Sequence, residues 1–166
     1  MQIVPGTDTA ELFDQLVEDQ VPGRRGLGAW RSMLRAHATL MRRLDTDLER
    51  ETGLALADFD VLAQLAAAHG ELRMTELADR ALISRSGMSR RVTRLVDEGL
   101  VRRDRAGADA RGVVVTLTEA GIARLAETAP VHVRGISKLF VAQLDDQELA
   151  LLERALNKVI VDCSFG

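Results

Sequence analysis

Ser86, Arg90, Thr93, Arg94 and Asp97 fall on one side of a helix wound at roughly 100° per residue, and Met88, Val92, Leu95 and Val96 fall on the other. The apolar side has to dock on a core. What then projects is a face of hydroxyl and guanidinium groups, the side chains that bond phosphate oxygens and the O6 and N7 acceptors of guanine in a major groove. Ser84 is a good N-cap and Gly99 a good C-terminal stop, which gives the helix defined ends and nearly four turns. Gly87 sits in the first turn, where it costs on the order of 1 kcal/mol relative to alanine.

A projecting face of this kind needs elements that aim it. Thr75 is placed to cap a short helix through Arg80 with Leu77, Ala78 and Ala81 inward, and Leu82-Ile83 turns the chain into Ser84 without a glycine. After Gly99, Leu100-Val101 and Val113-Val114-Val115 are β-prone runs joined by a loop from Arg102 to Gly112, too long for a two-residue hairpin and too charged to be buried. That order is a winged helix-turn-helix, and it implies contact with double-stranded DNA. The candidate contact residues are Thr75, Ser84, Arg85, Ser86, Ser89, Arg90, Thr93 and Arg94 on the helical pair, and Arg103, Arg105, Asp109 and Arg111 on the wing, where Asp109 and Arg111 are close enough to pair and stiffen the tip. The competing reading of the wing is a solvated hairpin with ordinary surface charges.

Charge distribution favours the DNA reading more than total charge does. The chain carries 22 basic and 25 acidic residues, a net −3 that argues against a nonspecific polyanion binder. Residues 73–111 alone hold ten arginines against six acidic residues, so the cation is local and the remainder is acidic. Affinity for a duplex is then expected to fall steeply with salt.

Other chemistry has little footing. Three histidines and one cysteine are scattered along the chain, with no HExxH, CxxC or Ser-His-Asp spacing, no GxGxxG and no P-loop, so neither an enzyme, a metal site nor a cofactor is expected. No apolar run approaches a membrane span, no basic-then-apolar leader is legible at the start, and one cysteine forms no internal disulfide, which together point to a cytoplasmic setting. Cys163 reads as packing on an apolar stripe.

With 166 residues, 46% of them apolar, the chain can bury one domain and an added dimerisation layer. A helix from Gly28 to Glu51, about 35 Å long, carries Leu27, Trp30, Leu34, His37, Met41, Leu44 and Leu48 at spacings of three and four. A second begins after the cap-like Thr118, with Ile122, Leu125, Ala129, Val133, Ile136 and Phe140 on one face and with Pro130 and Gly135 expected to kink or interrupt it. A third follows Asp145 or Asp146, striped by Leu149, Leu152, Leu156, Val159 and Cys163. These faces exceed what one small head can cover. The reading is an intertwined homodimer that sets two recognition helices about one DNA turn apart on a pseudo-palindromic operator, against a monomer whose terminal helices fold over its own core.

Between seam and head, Phe59, Val61, Leu62 and Leu65 mark a linking helix whose cap position, Ala55, is chemically poor, with Asp58 in the first turn favouring the helix dipole. Residues 1–26 form a separate arm, with Asp8 and Glu11 as a capping box ahead of Leu12, Phe13, Leu16 and Val17, and Pro22-Gly23 as a break. The fold expected is mainly α with a small β-wing: a winged helix-turn-helix at 55–117 and a helical dimerisation region at 27–54 and 118–166.

Several stretches together resemble one family. Gly53 to Leu62 (GLALADFDVL), Met74-Thr75-Glu76-Leu77-Ala78, Ser84 to Arg90 (SRSGMSR), Gly99-Leu100-Val101-Arg102-Arg103 with Asp109-Ala110-Arg111, and Leu117-Thr118-Glu119-Ala120-Gly121 resemble the multiple-antibiotic-resistance regulator (MarR) family of bacterial repressors from about Gly28 to Cys163. Two departures stand out: Ala55 replaces the usual capping threonine, and the wing lacks its usual proline and doubled arginine. The resemblance implies an obligate dimer, operator binding through the second helix and wing, and release when a small phenolic or anionic aromatic compound enters a pocket. It also places Trp30, His37 and Phe59 in that pocket, with His132 and Arg134 facing it from the kinked helix; on residue type alone, His37 reads more simply as a satisfied core histidine. The other function considered is a winged-helix scaffold that acts through protein partners without DNA binding.

Overall fold

The protein is described by a computed structural model over residues 24–105 and 112–164, the side chains of Arg24, Arg105 and 162–164 excepted. The arm at 1–23, the wing tip at 106–111 with Asp109 and Arg111, and the side chains of Arg105 and Cys163 therefore lie outside the described residues. The order is α1 (Arg24–Thr52), α2 (Leu56–Ala67), β1 (Glu71–Arg73), α3 (Met74–Arg80), α4 (Arg85–Asp97), β2 (Val101–Arg105), β3 (Val113–Leu117), α5 (Glu119–Leu139), a 3₁₀ turn (Val141–Gln143) and α6 (Asp146–Ser164). The fold is mainly α with a small antiparallel sheet.

The chain divides into two compact units, 1–42 and 43–166. Of the first, residues 24–42 are described, and all are helical. α1 begins four residues earlier than Gly28, because Arg24 and Arg25 are good helix formers and nothing in Gly26 or Gly28 breaks the ladder. Trp30, Met33, Leu34 and Met41 are exposed, and so is His37, against its expected place in a core.

The second unit holds the core. Leu44 and Leu48 of α1 are buried, as are Phe59, Val61, Leu62 and Leu65 of α2. Ala55 makes no side-chain cap, as its chemistry predicts. The cap comes from elsewhere: the Asp45 carboxylate accepts the Leu56 N–H at 2.8 Å. α2 ends in a left-handed pair, His69 and Gly70 at φ +61° and +99°, which throws the chain into β1. That strand is absent from the sequence reading. It pairs antiparallel with β3, Leu72 opposite Val115, so the sheet runs β1-β3-β2. β2 extends to Arg105 and β3 starts at Val113, so Arg102 and Arg103 are strand residues rather than loop residues.

Two small devices join sheet to helices. Thr118 caps α5 by accepting the Gly121 N–H at 3.0 Å, while its hydroxyl bridges to the carbonyls of Gly99 and Leu100. A Cβ on Gly121 would stand 2.1 Å from the Leu100 carbonyl oxygen, so only glycine admits this approach. α5 then continues through Pro130 and Gly135 without interruption. Proline removes one N–H from the ladder, and Gly135 lets Leu44 pack close, since a Cβ there would meet its Cδ2 at 2.7 Å. α6 is capped by Asp145, whose Oδ1 accepts the N–H groups of Gln147 and Glu148 while its own N–H reaches Glu148. Its Leu151, Val159, Ile160 and Val161 are exposed.

Candidate nucleic-acid interface

α3 and α4 form the helix-turn-helix. α3 starts at Met74, one residue before the expected cap: Arg73 holds the N-cap position, its backbone N–H bonded to the Glu76 carboxylate at 3.1 Å, and Thr75 is an exposed first-turn residue. Leu77 and Ala78 are buried as read. The turn has no glycine, and Leu82 takes its left-handed position, at φ +53° and 93% exposed. Ile83 then donates its N–H to the Ala78 carbonyl at 3.0 Å and points the chain into Ser84.

Ser84 caps α4 through the Gly87 N–H at 3.2 Å. Gly87 sits tightly: a Cβ there would stand 2.9 Å from Ile83 Cγ2 and 3.1 Å from Ser84 Oγ, so these side chains would have to shift to admit one. At the other end Gly99 is left-handed at φ +73°, with the Leu100 N–H bonded to the Leu95 carbonyl and the Gly99 N–H to that of Val96. That is a Schellman closure. Met88, Val92 and Leu95 are fully buried, each worth about 1.5–3 kcal/mol. Val96 stays outside, because its Cβ lies off the docking stripe.

The opposite face carries the exposed Arg85, Ser86, Arg90 and Thr93, with Ser89 half-buried at its edge. Thr93 donates its hydroxyl to the Ser89 carbonyl at 2.9 Å, which fixes its oxygen with lone pairs outward, and Ser84 and Ser86 hydroxyls stand 3.4 Å apart.

Arg94 departs from the helical wheel. Its Nη2 donates to Asp58 Oδ1 at 2.6 Å and also to Oδ2, while Arg91 Nη1 donates to Oδ1 at 2.7 Å. Asp58 is 4% exposed, so its place in the first turn of α2 serves mainly as a buried acceptor for two arginines of α4. The Asp58 bond, and after it the carboxylate's charge, push the Arg94 guanidinium still further above its ordinary range. Arg94 therefore does not stand free among the reading residues, because a buried carboxylate within reach outcompetes water for it. Arg91 was missed by the wheel, which lists it neither with the core nor with the projecting row. Only the run of arginines after Ser89 hinted at it.

On the wing, Arg103 is exposed opposite Val115, and the neighbouring Arg102 Nε donates to Asp104 at 2.5 Å.

The pocket candidates separate. Phe59 and His132 meet with ring centroids 4.6 Å apart and planes inclined at 44°. Burial lowers the His132 pKa below its ordinary value, opposed in part by Asp60, and its Nδ1 is buried without a hydrogen-bond partner among the described residues. Arg134 does not join them. Two residues on from His132 it emerges on the other side of α5, exposed and paired with Glu51 at 3.3 Å. Trp30 and His37 belong to the first unit.

Among the described residues no group of three potential metal ligands is present, and no helix is long and apolar enough to cross a membrane.

The sequence model described as MarR family matches residues 52–112. An HTH-type transcriptional regulator from Bacillus cereus is 31% identical over 117 residues, covering 70% of this chain and 77% of the relative. Among solved structures, AbsC, a MarR family transcriptional regulator from Streptomyces coelicolor, superposes with a TM-score of 0.79 at 30% identity, over 87% of this chain and 97% of that one. Sco3205, a MarR family regulator of the same organism solved in complex with DNA, gives a TM-score of 0.77 at 34% identity, over 83% and 90%.

Proposed function

The chain belongs to the MarR family and is a DNA-binding transcriptional regulator, not an enzyme; from that premise we propose that it is a homodimeric repressor which places α4 of each subunit in successive major-groove half-sites of a pseudo-palindromic operator. A small aromatic or phenolic ligand releases it. The observation that carries the DNA part is the geometry of α4, a helix pinned by Met88, Val92 and Leu95 whose outer face offers Ser86, Arg90 and Thr93 to solvent. Ser84, Arg85 and Ser89 supply polar groups at the same end, Thr75 is assigned to the backbone and Arg103, Arg105 and Arg111 to the backbone or minor groove, with Asp109 assigned to stiffen the wing by pairing with Arg111.

The dimer reading is supported by apolar side chains left exposed on three long helices, among them Trp30 and Leu34 on α1, Val133 on α5 and Val159 and Ile160 on α6. Residues 55–117 would then be the DNA-binding domain, and 27–54 with 118–166 the dimerisation region. The role places the protein in the cytoplasm, with the DNA. The ligand reading is supported by Phe59 and His132, which bring to one place an aromatic face and a buried nitrogen without a partner among the described residues.

Selection of bound duplexes from a random pool tests the core of this reading. Recovery of a pseudo-palindrome with half-sites about one helical turn apart supports it, and an unstructured pool sinks it. Repeating the selection with salicylate and other aromatic acids tests the ligand: release of the selected duplex is expected, and undiminished binding with all of them removes the effector.

A further inference from the structure

Asp58 leaves Arg94 half-used. An arginine has five N–H donors in a rigid fork, and among the described residues only Nη2 is engaged, on the two oxygens of a single carboxylate. Nε and Nη1 have no partner there, and the side chain is 53% exposed. Arg94 lies about 40° around α4 from Arg90 and about 60° from Arg91, between the reading face and the face that packs on α2. Arg91 is the more enclosed of the two, its side chain 25% exposed, and it keeps Asp58 paired independently of Arg94. One carboxylate and two guanidiniums leave a net positive charge at this edge.

We propose that Asp58 is a positioning residue for DNA binding: it clamps Nη2 of Arg94 so that the remaining N–H groups of the guanidinium, those on Nη1 foremost, are held in a fixed orientation for a DNA phosphate at the border of the α4 face. The proposal rests on the DNA-binding reading and deepens it. A free arginine loses rotamer freedom when it binds phosphate; one already held by a buried carboxylate has lost it on folding. The carboxylate itself is screened from the duplex, being buried and neutralised by Arg91. Asp58 thus contributes to DNA affinity without touching DNA, and does so only through Arg94.

The test is a double-substitution cycle on the full chain, with binding measured on a duplex selected by the wild-type protein. Asp58→Asn is expected to weaken binding several-fold and Arg94→Gln about tenfold, the loss of one charge-assisted contact. Adding Asp58→Asn to Arg94→Gln is expected to cost nothing further. Arg94→Gln is also expected to lower the slope of log affinity against log salt by about one. An equal loss from Asp58→Asn in both backgrounds would assign Asp58 a structural role only, and a gain in affinity would mean that it competes with phosphate for Arg94; either overturns the proposal. Should Asp58→Asn fail to fold, the salt slope of Arg94→Gln decides alone, an unchanged slope being fatal. Absence of any duplex bound by the wild-type protein would remove the DNA-binding reading itself, an outcome distinct from binding that is intact but insensitive to Arg94.

Discussion

The Asp45 carboxylate of α1 accepts the Leu56 N–H at 2.8 Å, so a side chain eleven residues upstream closes the first turn of α2. Ala55 has the extended backbone of an N-cap, φ −66° and ψ 143°, with no oxygen to offer. Asp45→Ala should therefore cost what a lost cap costs, about 0.5–2 kcal/mol, read as a lower urea midpoint at unchanged m-value. Ala55→Ser should recover most of that loss in the Asp45→Ala background and little in the wild type, where the Leu56 N–H already has an acceptor. Equal gains in both backgrounds would show that Asp45 is not the cap.

Leu82 holds a left-handed backbone with its side chain in water. A branched side chain there costs about 1–2 kcal/mol against the right-handed region, and an exposure of 93% means that almost no burial offsets it. Leu82→Asn should raise stability by about 1 kcal/mol, since asparagine tolerates this region. An unchanged or lower melting temperature would mean that Leu82 is covered in the assembled protein.

How far the fold was legible follows from the range of each interaction. The caps at Ser84, Thr118 and Asp145 act within three residues, and the stripe Met88, Val92, Leu95 repeats along a single helix, so all are written locally. β1 was not readable, because three residues of Glu-Leu-Arg carry no strand signal until β3 arrives more than forty positions later to pair with them. In the sequence Asp58 shows only as a dipole partner for the same reason: its guanidinium partners, Arg91 and Arg94, lie 33 and 36 residues away. The wheel placed Arg94 outward correctly as an angle and wrongly as a free group, since a wheel has no neighbours. Pro130 points in the other direction: its sequence predicts a break, yet the helix runs through it unbroken, since a proline removes a single N–H from the ladder.

His132 sets a pH dependence. Burial lowers its pKa in the folded protein below the ordinary 6.5, with Asp60 opposing. The unfolded chain then takes up the proton first as pH falls, and stability is lost from about pH 6.5 downward until the folded pKa is passed, where the loss levels off. Above pH 6.5 the group contributes no slope. His132→Gln should flatten this part of the stability curve in urea titrations between pH 7.5 and 5, leaving the carboxylates to dominate below. A slope unchanged by the substitution would mean that His132 is not the group responsible.

Arg90 stands at the middle of the α4 face, exposed and flanked one turn away by Ser86 and Arg94. Its position separates two kinds of contact. A guanidinium bonded to guanine O6 and N7 discriminates one base pair by about 1–3 kcal/mol, whereas one on a phosphate weakens all sequences alike and lowers the salt slope by about one. With α4 docked in the groove as proposed, the central place of Arg90 puts it with the first kind. Arg90→Ala should cost 10- to 100-fold on the selected duplex and relax the preference at a single position in each half-site, symmetric about the centre. Arg103→Ala, on the strand edge of the wing, should instead weaken selected and scrambled duplexes equally. A uniform loss from Arg90→Ala would move it to the backbone and leave base recognition to Ser86, Ser89 and Thr93, whose hydroxyls accept or donate to any base and discriminate less.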